Sequence, residues 1–162
     1  MKQPVAILLL DWLRTGLFGP LRFGQTRAET ALLLGPPDDV GGISRKYPRP
    51  TIWKYGDFEL YFWLGDDGLS AVLTDTFTIP HGGPRIQIAP WHLRNGIAQR
   101  ASEEALTSAG IAYRTAVPAH LVGTTQIITA SRVWLNFEAP SMDIRGVGGL
   151  CAMGQSARTV GP

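Results

Sequence analysis

Three histidines, one cysteine and a pair of adjacent aspartates are the side chains of this 162-residue chain best suited to catalysis or metal binding. His81, His92 and His120 stand 11 and 28 residues apart, and no two lie four apart on a helix. Cys151 has no second cysteine to pair with, so the nitrogen and sulfur set that zinc needs does not assemble. No metal and no cofactor is expected. A Cys151 thiolate with His92 or His120 as its base would make a nucleophile; the plainer reading is a small apolar residue of the last strand. Asp66 and Asp67 stand in "GDDG", where a tight turn demands these residues, and so read as a turn before they read as paired acid and base. "GPP" and "VGG" lack the lysine and spacing of a phosphate loop. The chain is therefore expected not to be an enzyme.

The bulk properties favour a soluble globular protein. Apolar residues make up 44% of the chain and charged residues 17%, a balance that supports a real core. The net charge of +2 is too small to announce a nucleic-acid partner, although Arg45, Lys46, Arg49 and Lys54 do interleave with Tyr47, Trp53 and Tyr55. That stretch belongs to the acidic third of the chain, where residues 35–77 carry four cations against seven carboxylates. No apolar run approaches the ~20 residues of a membrane span. The run in "MKQPVAILLLDWLR" is broken by Asp11 with no cleavage site following promptly, and a single cysteine fits a reducing compartment, so a cytoplasmic location is expected.

The elements that must position any site follow from periodicity. Pro4 and the helical spacing of Val5, Leu8, Leu9, Trp12 and Leu13 predict an N-terminal helix within residues 1–20. In "LRFGQTRAETALLLGPPDD", Thr26 and Glu29 form a capping-box pattern, and Gly35 with two prolines ends the helix. From Thr51 the period changes to two, predicting strands over 51–55, 58–64 and 69–77. Phe58, Leu60, Phe62 and Leu64 share one face of the middle strand, while Glu59, Tyr61 and Trp63 share the other.

The plan then restarts. "WHLRNG" parallels "PLRFG", Ser102 precedes its helix as Thr26 does, and Gly110 closes it. At a constant offset of 75, Ile52 falls on Ile127, Phe58 on Val133, Leu60 on Leu135, Phe62 on Phe137, and "GLSAV" on "DIRGV". A one-residue slip would turn a strand inside out, so agreement of phase marks a repeat. The expected fold is α+β: two tandem helix-plus-antiparallel-strand repeats forming one curved sheet with helices on one face. Its divisions are an N-terminal helix (1–20), a first repeat (21–79), a connection (80–90) with a strand near 85–88, a second repeat (91–151) and a flexible tail (152–162).

Gly24, Thr26, Glu29, Leu34, Gly35 and Pro37, followed by Tyr55, Gly56, Leu60 and Phe62, carry a resemblance over residues 21–150. This pattern resembles the beta-lactamase inhibitor protein fold, whose half-unit also occurs singly in small outer-membrane assembly lipoproteins. The longer stretch is similar to uncharacterised bacterial immunity-like proteins. The resemblance implies a protein that grips another protein with the open concave face of its sheet. The single cysteine departs from the disulfide-bearing inhibitor, and the acylated cysteine of a lipoprotein is missing near residue 1.

Trp53, Tyr55, Tyr61 and Trp63, with Trp134 and Asn136 at the matching phase of the second repeat, are expected to form that binding face. Large aromatics with a polar handle are the usual anchors of interfaces. Glu59, Asp66 and Asp67, with neighbouring Asp57 and Asp75, would steer a basic partner toward it. The leading expectation is a binding protein that neutralises a toxin or enzyme by occlusion, most concretely as a toxin's immunity protein. A small-molecule or catalytic module and a homodimeric adaptor are the alternatives.

Overall fold

The N-terminal apolar run is half strand and half helix. In the computed structural model, which describes residues 3–140 and 148–157, Val5–Leu8 forms β1 and Leu9–Thr15 forms α1, ending at Gly16 with φ 75°. The single helix expected over 1–20 is corrected by a distant partner. β1 pairs in parallel with Ile86–Ala89 (β6), from Val5 opposite Ile86 to Leu8 opposite Ala89. Local periodicity reads Val5 and Leu8 as helical because it is blind to that pairing.

Helix α2 (Arg27–Leu34) begins as its sequence demands. The Glu29 N–H donates to Thr26 Oγ1 at 3.2 Å, and the Thr26 N–H donates to Glu29 Oε2 at 2.8 Å, which lowers the Glu29 pKa. Helix α3 (Gln99–Ser108) departs from the expected parallel. It starts one turn earlier, after Ala98, without a side-chain cap, and Ser102 lies buried inside it with an unpartnered hydroxyl. The reason is visible three residues on: Ala105 stands where a capping box needs a carboxylate.

Four strands follow α2, namely β2 (Asp39–Gly41), β3 (Ile52–Tyr55), β4 (Phe58–Phe62) and β5 (Leu69–Thr74). Four follow α3, namely β7 (Tyr113–Ala116), β8 (Thr124–Thr129), β9 (Trp134–Glu138) and β10 (Gly149–Ser156). They make one eight-stranded antiparallel sheet in the order β2-β3-β4-β5-β10-β9-β8-β7. Residues 152–156, expected in a tail, instead lie in the strand that joins the two halves. The correspondence of "GLSAV" with "DIRGV", and the end of the expected tail, fall outside the described residues.

Register corrects the gapless offset of 75. Phe58, Leu60 and Phe62, and Val133, Leu135 and Phe137, are all buried, as that offset requires. Within the hairpins, however, Leu60 faces Trp53 while Leu135 faces Ile127, so it is Trp53 and not Ile52 that stands opposite Leu60 as Ile127 stands opposite Leu135. The first hairpin turns at Gly56–Asp57; the second takes Ala130, Ser131 and Arg132, with the Thr129 N–H donating to Val133 O. That extra residue shifts the phase of β3, and Ile52 faces outward where Ile127 faces in.

Side chains from α1, both later helices and the sheet join one core, including Leu9, Trp12, Leu34, Phe58, Leu60, Leu106, Ile127, Leu135 and Met153. One polar chain runs through it. Trp12 Nε1 donates to Gln155 Oε1 (2.9 Å), Gln155 Nε2 to Ser131 O (3.0 Å), and Ser131 Oγ to Leu13 O (2.7 Å). The two helix starts give opposite expectations in denaturant unfolding. Thr26→Ala should cost about 1 kcal/mol, whereas Ser102→Ala, which removes an unpartnered buried hydroxyl, should be neutral or stabilising.

Candidate functional site

Alternation along paired strands gives the sheet two unlike faces. The inner row Val40, Trp53, Leu60, Val72 and Gln155 runs toward the core. The outer face carries a row drawn from all eight strands in register: Asp39, Lys54, Glu59, Leu73, Gly154, Trp134, Ile128 and Arg114. Its middle is apolar and its ends are charged. Leu73, Trp134 and Ile128 are each only half-buried, as are Ile52, Tyr61 and Ala71 beside them.

Gly154 explains how Trp134 lies. A Cβ on Gly154 would sit 2.4 Å from Trp134 Cζ2 and 2.8 Å from Leu73 Cβ, so the indole rests directly against bare backbone. Glycine inside a strand is unfavourable unless something approaches that closely. Asn136, next along β9, is buried, and its Oδ1 accepts from Gln126 Nε2 at 2.8 Å.

The charged end is internally paired. Lys54 Nζ contacts Glu59 Oε1 at 2.9 Å, and the Tyr61 hydroxyl donates to Glu59 Oε2 at 2.6 Å. Burial alone would raise the Glu59 pKa, but the bonds from Lys54 and Tyr61 outweigh it and hold the carboxyl below its usual range. The Lys54 pKa is raised, first by its hydrogen bond to Glu59. Burial, helped by Glu59 and Asp75, pushes the Tyr61 phenol up, so its hydroxyl stays a donor.

Several residues expected on this face lie elsewhere. Tyr55 is fully buried, its hydroxyl donating to Gly35 O at 2.8 Å, and Trp53 packs edge-on against Phe62 at 5.1 Å. The altered phase of β3 puts both inward. Asp67, at φ 63°, forms an ion pair with Arg27, whose guanidinium also donates to Pro50 O and lies over the Phe62 ring. It therefore fastens the β4–β5 turn to the start of α2. Asp66 Oδ1 accepts from the Gly68 N–H at 3.0 Å, a local turn bond. β4 ends at Phe62, so Trp63 belongs to the turn, 39% exposed, beside Leu64, which is 56% exposed and not in the core. Glu59, Tyr61 and Trp134 take the expected face. Leu73, Ile128 and Gly154 were not expected there; alternation in "LSAVLT" marks Leu73, whereas Gly154 had no strand to belong to.

The chemistry-bearing residues remain dispersed. His81 Nε2 lies 3.2 Å from Asp57 Oδ1, the His92 ring packs on Trp91 at 4.7 Å, and His120 is exposed. Among the described residues no group of three or more His, Cys, Asp or Glu is placed to hold a metal. Cys151 donates to Asn136 O at 3.3 Å, and burial, aided by Glu138, pushes its thiol up to about 11. Among the described residues, no helix is long and apolar enough to cross a membrane. No family model, curated protein or solved structure matches this chain.

Two measurements check this site. Gly154→Ala should displace the Trp134 ring, changing near-UV circular dichroism and costing about 1–3 kcal/mol. At pH 9 an ordinary thiol is more than half ionised, but one titrating near 11 is ionised only about one part in a hundred. Iodoacetamide should therefore label Cys151 slowly at pH 9 and speed up as the pH approaches 11.

Proposed function

We propose that this is a non-enzymatic protein-binding protein that neutralises a partner by covering it with the outer sheet face, and that the partner is a toxin or enzyme. Immunity to a bacterial toxin in the cytoplasm is the concrete form of the reading. The observation that carries it is the row of half-buried Leu73, Trp134 and Ile128, laid across buried Gly154 with Tyr61 alongside, apolar in the middle of the sheet and charged at both ends. A sheet face turned only to water ordinarily carries polar side chains. Eight strands at about 4.8 Å span roughly 35 Å, comparable with the diameter of a small domain.

Three further features support the proposed architecture. α2 with β2–β5, and α3 with β7–β10, have the same element order and meet at β5 and β10, as two copies of one unit would. Leu34 of α2 and Leu106 of α3 share the core with the inward strand residues, in keeping with both helices lying on the inner face. Register shifts in β4 and β10 supply the local bends that a concave sheet uses. Binding by such a face makes no covalent bond, and its affinity rests on a few aromatics within a polar surround.

The test is capture of the partner followed by growth rescue. Co-expression of this chain should relieve the toxicity of the captured protein. Tyr61→Ala and Trp63→Ala, in folded variants, should each weaken binding by about 2 kcal/mol, roughly thirtyfold. Leu32→Ser, at an exposed site on α2, should bind like the parent. Undiminished binding by both aromatic variants would falsify the assigned face.

A further inference from the structure

Beside the outer face, the end of β4 and its turn, with Thr51 and Ser70, line an open surface hollow of about 540 Å³. Tyr61 and Trp63 supply aromatic surface, Phe62 and Leu64 add apolar surface, and among the described residues Asp66 is the one charged residue lining it. The carboxylate has one oxygen committed to the Gly68 N–H, and its other oxygen accepts no hydrogen bond from the described residues. Arg27 is paired with Asp67, and Arg49 Nη1 lies 3.8 Å from the same Asp67 carboxylate.

We infer that this cavity receives an arginine side chain projecting from the protein partner. The inference rests on the protein-binding reading above and adds what the site recognises. An apolar group alone would cover Asp66 and leave a carboxylate without water or a partner, a costly arrangement. A cation satisfies that carboxylate and is attracted to the faces of the aromatic rings. Guanidinium fits better than ammonium because it is planar and weakly hydrated, so it stacks on a ring while donating from its edge to the one open oxygen. Glu59 is balanced by Lys54, but Asp75 acts on both Tyr61 and Lys54 and adds negative potential to the surroundings.

Nα-acetyl-arginine N-methylamide, titrated into the full chain, tests the cavity without the partner in hand. Tyr61 and Trp63 side-chain NMR signals should shift saturably, while the norleucine analogue, which has no charge, should leave them unmoved. The lysine analogue should bind more weakly than the arginine one. Asp66→Asn retains an oxygen for the Gly68 N–H and hence the turn, yet should weaken the arginine analogue roughly fivefold. Equal shifts from the norleucine analogue, no saturable shift, or an Asp66→Asn variant that binds undiminished would overturn the arginine site. Trp134→Ser separates the two proposals. If it abolishes partner binding while the arginine analogue fails to bind the parent, the protein-binding face stands and the cavity assignment falls; if the analogue binds but partner binding survives every outer-face substitution, the reverse holds.

Discussion

The pairing of β5 with β10 is the constraint on which the rest of the sheet depends. Met153 faces Thr74 and Ser156 faces Ala71, so four residues on each side join two four-stranded halves. Without it each half would end in an exposed edge, with its backbone donors and acceptors open to water or to another chain. The same pairing sets both faces at once. It brings Gln155 and Met153 into the core beside Val72 and Thr74, and places Gly154 between Leu73 and Trp134 on the outside. Because side chains alternate, a slip of one residue in this short ladder would exchange core for surface.

Two polar anchors guard against that slip. The chain Trp12–Gln155–Ser131–Leu13 ties α1 to β10 and to the β8–β9 turn, and a misregistered β10 would leave several of these groups buried without partners. Gly16 leaves room for it, since a Cβ there would meet Gln155 Nε2 at 2.8 Å and Ser131 O at 2.9 Å. At the opposite end, Arg27 gathers Asp67, Pro50 O and the Phe62 ring around one guanidinium. Residues that sequence alone offers as a solvated acidic turn therefore include one structural pair and one free-facing carboxylate. The difference between Asp67 and Asp66 is made by a side chain forty positions away.

What the sequence made legible is what local chemistry decides. The capping box of Thr26 and Glu29, the stop at Gly35 and the alternation of β4 follow from nearest neighbours, and the structure has them all. β3 was harder because "IWKY" offers large side chains at both phases, and only the hairpin register and the Tyr55–Gly35 bond choose between them. Strand β1 depends on β6, about eighty residues distant, and no periodicity encodes such a partner. β10 was legible only in its first residues, since small and polar side chains in "CAMGQS" fit a strand only once Trp134 and Trp12 are there to cover Gly154 and bond Gln155. The outer-face site was accordingly read in part. Tyr61, Glu59 and Trp134 follow from phase, while Leu73, Ile128 and Gly154 follow from tertiary pairing.

The position of β10 in the chain also gives the molecule a history. A ribosome adding 5–20 residues each second needs on the order of ten seconds to travel from β5 to the end of β10. Until β10 has been made, β5 lacks the neighbour that it has on that side in the finished sheet. The last strand to emerge is the one that closes the centre. An unpaired β5 edge would leave the nascent chain open to unwanted strand pairing at the place that lies in the middle of the finished sheet.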